Sequence, residues 1–217
     1  MLKIKAPHKY KGLTLIEMLI ALVLGLFVTA VIISVFSTNV RSSTENLQMI
    51  RLNQALRGAM SLMSDEFKRA GYSAFPVTST FMNRTNFTTT CANYSYDINS
   101  NSSVDAVEYY GFRLDEANKK IDWGSFLTST GCSTGSWQPI TDPNIAEITT
   151  LTFVTNGSVN SNGVSGNTAF TTTTGVSVYD VTITLVGTVD LPHSNAANDP
   201  RRTIEETIRI RNDHPKD

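Results

Sequence analysis

The sequence predicts an α+β fold: a long N-terminal helix, transmembrane in its first half and amphipathic in its second, packed on a C-terminal head of antiparallel β-sheet. Three observations predict it. Between Leu13 and Phe36, 19 of 24 residues are apolar. From Met49 to Ala70, apolar residues recur at steps of three or four. Beyond residue 103, segments alternating between apolar and polar residues are separated by turn-forming stretches. The 217 residues allow one globular domain plus an extra element. A single apolar block excludes a multi-span membrane protein, and ten Phe with 17% charged residues exclude a disordered chain.

The first element begins after a basic segment. Lys3, Lys5, Lys9 and Lys11 precede residue 13, where there is no acid. Met18 to Phe36 then runs nineteen residues without a charge, about 28 Å as a helix, enough to cross a bilayer core. The lysines predict a cytoplasmic N-terminus and an exported body. No Ala-x-Ala-like site follows Phe36, as a cleaved secretory signal would require. Glu17 stands at the mouth of the apolar run, where burying it ionised costs about 2–4 kcal/mol. On the residues alone it either snorkels at the interface or serves a function.

Gly12-Leu13-Thr14-Leu15-Ile16-Glu17, followed by Met18-Leu19-Ile20-Ala21-Leu22, resembles the class III signal of type IV prepilins and type II secretion pseudopilins. The resemblance implies a pilin-like fold and a leader, residues 1–12, removed on the cytoplasmic side by prepilin peptidase. Cleavage then falls between Gly12 and Leu13, Leu13 is N-methylated, and Glu17 is the fifth mature residue. Family members most often begin with Phe, so Leu13 is an apolar departure. Cleavage creates an ammonium at Leu13, and the Glu17 carboxylate of one subunit can meet the Leu13 ammonium of another within a bundle of parallel helices. Each group then neutralises a charge that is costly alone.

Residues 13–38 form the membrane and assembly half of the helix, and residues 39–71 its amphipathic half. After a polar crossing, Met49, Leu52, Leu56, Ala59, Met63, Phe67 and Ala70 make one stripe. Gly71 is the expected stop, and Gly25 and Gly58 are the soft points of a helix about 85 Å long. The head, 72–217, opens with a Thr-, Ser- and Asn-rich stretch, Val77 to Ser103, expected to be irregular with short strands at most. Val104–Leu114 and Ile121–Leu127 flank the turn Asp115-Glu116-Ala117-Asn118 as a hairpin. Ile145–Thr155, Val176–Val189 and Thr203–Arg211 supply three further strands, with Ile204, Ile208 and Ile210 on one face. Asn156–Gly175 and Leu191–Pro200 read as long polar connections.

In an exported head Cys91 and Cys132 are expected to pair, two buried free thiols being the alternative. Two cysteines are too few for a thiolate zinc site, and His8, His193 and His214 share no ligand spacing. No cofactor or metal is assigned. Asp105 with Glu108, and Glu205 with Glu206, are acid pairs best read as solvated strand edges. No phosphate loop is present and no catalytic residue can be nominated, so an enzyme is not expected. Beyond residue 12, 14 Lys and Arg face 19 Asp and Glu. Arg201-Arg202 and Arg209/Arg211 form the only basic cluster, broken by Glu205 and Glu206, so nucleic acid is not an expected ligand.

The Ala70-Gly71-Tyr72 helix exit, Val107-Glu108-Tyr109-Tyr110, the Cys132 to Trp137 region and the closing Ile208-Arg209-Ile210-Arg211-Asn212 are together similar to PilW-type minor pilins, related in architecture to the pseudopilin GspJ. The implied role is a structural subunit that primes or caps a type IV pilus serving twitching motility, adhesion or DNA uptake. The implied partners are other minor pilins, the major pilin, prepilin peptidase, the inner-membrane assembly platform and, at the tip, an adhesin. The implied location is the inner membrane before assembly, with lipid around the helix, and the pilus tip at the cell surface afterwards. A GspJ-like pseudopilin of a type II secretion system is the alternative. A tip adhesin or DNA-binding module is the alternative of another class.

Overall fold

The computed structural model describes residues 12–74, 81, 85–125, 132–158, 178–191 and 199–210. It divides into a unit ending at Asn46 and a second unit, Leu47–Asp217. One helix, α1 (Leu15–Arg69), contributes to both and is unbroken through Gly25 and Gly58.

In the first unit every side chain from Leu13 to Thr44 is exposed. The helix is long and apolar enough to cross a membrane. Its few hydroxyls are accommodated locally, since Thr29 Oγ1 donates to the Gly25 carbonyl at 2.7 Å and Thr38 Oγ1 to that of Ser34 at 3.0 Å. A hydroxyl bonded in this way can sit in an apolar medium without an unsatisfied donor.

The second unit is the head. Here α1 buries Leu52, Leu56, Ala59, Met60, Met63, Ser64 and Phe67. This is the predicted stripe widened by Met60 and Ser64, as a helix needs a broad face to cover sheet. Gly71, at φ 78°, ends the helix in the left-handed region that glycine enters without a Cβ clash. Its N–H bonds the Ser95 carbonyl at 2.9 Å.

Five antiparallel strands form the first sheet in chain order: β1 (Asn86–Phe87), β2 (Cys91–Ser95), β3 (Tyr109–Asp115), β4 (Lys120–Ser125) and β5 (Ser136–Pro139). A second, three-stranded antiparallel sheet follows, with β6 (Glu147–Ser158), β7 (Val178–Thr188) and β8 (Arg201–Arg209). The two sheets touch through backbone bonds from Ile148 N–H to the Lys119 carbonyl, 2.8 Å, and from Phe153 N–H to the Thr89 carbonyl, 3.3 Å.

The predicted hairpin is present as β3 and β4, turning at Asp115–Lys120. Within the Thr-, Ser- and Asn-rich stretch, where short strands at most are expected, Cys91–Ser95 is an inner strand with Ala92, Asn93, Tyr94 and Ser95 all buried. Two expectations are corrected. The strand expected from Val104 begins only at Tyr109, because Ala106–Glu108 forms a 3₁₀ turn ahead of it. Asn156-Gly157 lies within β6 and not in a loop, since it pairs with Asp180 and Tyr179. Ser136–Pro139 adds a strand on β4. Leu127 and most of the two long polar connections, 159–177 and 192–198, lie outside the described residues.

The core is centred on Phe67. Its ring meets Phe87, Tyr94, Phe112 and Phe153 edge-on, with centroids 5.1, 5.4, 5.6 and 5.7 Å away. Rings of both sheets thus converge on one helix side chain, in the geometry that aromatic quadrupoles favour. Phe67→Ala is expected to destabilise the head by about 3–5 kcal/mol, measured by denaturant unfolding of the detergent-solubilised protein. An unchanged midpoint would show that Phe67 is not what joins helix and sheets. Farther up, the helix rides close on β7, where a Cβ on Gly187 would fall 2.8 Å from Leu56 Cδ2.

Candidate functional site

The helix start is built by Thr14, whose side chain accepts a 3.4 Å hydrogen bond from the Glu17 N–H while its carbonyl accepts from Met18 N–H. Thr14-Leu15-Ile16-Glu17 is therefore an N-cap with an acid three residues on, a signal readable in the sequence. The Glu17 side chain is exposed, and among the described residues no ion pair engages it. It sits in the first turn of α1, where the helix dipole favours an anion. Gly12 and Leu13 precede the helix and are exposed. A Cβ at Gly12 would meet nothing within 4 Å. Neither crowding nor a left-handed backbone calls for glycine there, so its presence is not a demand of the fold. The arrangement is an exposed Gly12–Leu13 junction, a carboxylate about one turn away with no ion pair among the described residues, and an apolar helix whose side chains are exposed.

The head holds its candidate residues in structural roles. Cys91 and Cys132 are joined in a disulfide with Cα atoms 6.2 Å apart. Arg113 braces it, donating through Nη1 to the Cys132 carbonyl at 3.2 Å, pairing with the buried Asp122 at 3.2 Å, and lying 4.2 Å above the Trp137 ring. A separate chain runs from Trp123 Nε1–H to Tyr94 Oη, 3.1 Å, and from the Tyr94 hydroxyl to Glu66 Oε2, 3.0 Å. Burial, and then the Glu66 charge, hold the Tyr94 phenol well above its ordinary value, so it serves as a neutral donor. Burial and neighbouring Tyr96 push Tyr110 up to about 12.

Asp105 with Glu108 is not a solvated strand edge. Glu108 is fully buried at the end of a short 3₁₀ helix, Ala106–Glu108, where its carboxylate accepts from Ile98 N–H at 3.1 Å and Asp105 N–H at 2.8 Å. Spacing alone could not reveal this, because one of its two donors, the Ile98 N–H, lies ten residues away. Glu205 and Glu206 are exposed on β8 as expected, and Arg209 is paired with Asp180 at 3.2 Å. Arg211 and the three histidines lie outside the described residues.

Comparison with known proteins agrees with the N-terminal geometry. Residues 7–33 match the prokaryotic N-terminal methylation motif, and residues 45–210 match the family described as prepilin peptidase-dependent protein B. No curated protein and no solved structure matches the chain. The two matches together cover the junction, the apolar helix and nearly all of the head, so this is a type IV pilin-like subunit, a minor pilin or pseudopilin processed by prepilin peptidase. The chain belongs to the prepilin peptidase-dependent protein B family.

Proposed function

We propose that the protein is a minor pilin of the PilW type, which enters a type IV pilus assembly in few copies and primes or caps the fibre. Cleavage between Gly12 and Leu13 and N-methylation of Leu13 precede entry. The observation that carries this reading is the conjunction at the N-terminus: an exposed Gly12–Leu13 junction, the exposed Glu17 carboxylate, and a helix whose apolar side chains are exposed among the described residues. Such a helix is stable in lipid or among like helices, and Glu17 gains a counter-charge only among like helices whose leaders have been removed.

The head supports a scarce subunit, since its two long polar connections suit a component that need not tile a filament. Its role is contact with other minor pilins, the major pilin and the assembly platform, with no catalytic step assigned. Deletion of the gene is expected to remove surface pili and twitching while the major pilin still accumulates in the membrane. Normal piliation with loss of exoprotein secretion would overturn the pilus assignment and place the subunit in a type II pseudopilus.

A further inference from the structure

The part of α1 that belongs to the head has two faces. Leu52, Leu56, Met63 and Phe67 lie on the buried one. The opposite face carries Leu47, Ile50, Arg51, Arg57, Gly58 and Leu62 at the same helical period, all of them exposed. A helix whose contacts ended with its own sheets would present a polar surface there. Instead Leu47, Ile50 and Leu62 are 54%, 51% and 41% exposed. Scattered singly, such side chains are ordinary on a protein surface. Here three of them fall on one stripe about four turns long.

Gly58 stands within that stripe. A Cβ there would meet nothing within 4 Å, and the helix runs through it unbroken. The fold gains nothing from glycine at this point, since glycine weakens an exposed helix interior relative to alanine. What a missing side chain does allow is close approach of another backbone, as when a second helix packs across the first.

The cations are a separate observation. Arg41, Lys68 and Arg69 each pair with an acid of the same helix, namely Glu45, Asp65 and Glu66. Arg51 and Arg57 are the other two cations of α1, and among the described residues neither makes an ion pair. The helix has no acid between Glu45 and Asp65. Arg51 borders a cleft with Glu147 and Asp190, but Glu147 is held by Lys119 and Asp190 does not pair with Arg51. The two arginines are six residues apart, about 9 Å along the axis. A helix with carboxylates six or seven residues apart matches that spacing. The acids of α1 are Glu17, Glu45, Asp65 and Glu66, so a second copy of this helix offers no such pair.

We propose that the outward face of α1 from Leu47 to Leu62 docks a helix of a different subunit. That helix is apolar where it crosses Gly58 and carries two carboxylates that pair with Arg51 and Arg57. The proposal deepens the minor-pilin reading and rests on it, because it requires that the chain assemble with other pilins.

The test uses the full-length protein, expressed with its cognate pilins and solubilised in detergent. Photoreactive benzoylphenylalanine is introduced at Gln54, which is exposed between the two arginines. Irradiation is expected to join it to a helix of another pilin, within about a turn of a carboxylate, as mapped by peptide mass spectrometry. Arg51→Glu combined with Arg57→Glu is expected to cut that product about tenfold or more, and the same pair changed to Lys to retain it. Gly58→Leu is expected to lose the product with a Tm no lower than that of the wild type, since leucine has room there and is the better helix former.

A lowered Tm in Gly58→Leu would assign the glycine to the fold and overturn the proposal. A product with lipid or with a second copy of this chain, or one undiminished by the glutamate pair, would also overturn it. So would the absence of any product while Glu17→Ala still abolishes co-purification of partner pilins. A wild type that recovers no pilin by either route would remove the minor-pilin reading as well.

Discussion

Gly12→Val leaves the precursor at full length in the membrane fraction, with the leader attached and no methylated terminus. The effect is expected to be close to complete, and it belongs to the peptidase rather than to folding. The structure separates the two. Gly12 lies ahead of the helix, a Cβ there would touch nothing within 4 Å, and the backbone is not left-handed. Valine therefore fits the chain itself, while a protease groove that reads the residue before the cut meets a branched side chain in place of none. Immunoblotting against the head, with mass determination of the product, reads the outcome. A normally sized mature form starting at Leu13 would show that glycine is not what the enzyme requires, and a start elsewhere would remove the proposed junction.

Glu17→Ala is expected to be cleaved normally and then to fail in assembly, with at least a tenfold loss of co-purification with partner pilins. The estimate follows from leaving the Leu13 ammonium unpaired in an apolar bundle, which costs about 2–4 kcal/mol. Here too the fold gives little to confuse the result. The hydrogen bond that starts α1 is donated by the Glu17 backbone N–H to Thr14 Oγ1, so alanine retains it. The side chain itself is exposed and makes no ion pair among the described residues. Glu17→Gln separates charge from size and is expected to behave like alanine. Wild-type recovery of partners by either variant would remove the ion pair from the assembly mechanism.

Much of the N-terminal half was legible because its signals are local. The basic leader, Gly12, Glu17 and the uncharged run depend only on spacing, and the stripe from Leu52 to Phe67 depends only on helical period. Strands β3, β4, β6, β7 and β8 were visible because alternation persists over enough residues to separate it from chance. Strands β2 and β5 were not. Cys91-Ala92-Asn93-Tyr94-Ser95 has little alternation or β-branching, and it is a strand because β1 and β3 hydrogen-bond to its two edges.

The same division applies to charge. Read along the chain, Asp105 and Glu108 resembled the solvated pair Glu205 and Glu206. Glu205 and Glu206 are exposed on β8, while Glu108 is buried and accepts from the Ile98 N–H.

The sequence by itself determined the apolar run, the motif from Gly12 to Glu17 at its head, the amphipathic helix and the β-rich character of the head, all properties of neighbouring residues. The tertiary structure decided that Phe67 gathers rings from both sheets, that Cys91 meets Cys132 across 41 residues, and that Glu108 is buried on two backbone N–H donors. The reason is physical: burial and long-range contact are set by which surfaces the chain closes against one another, and no local period encodes that.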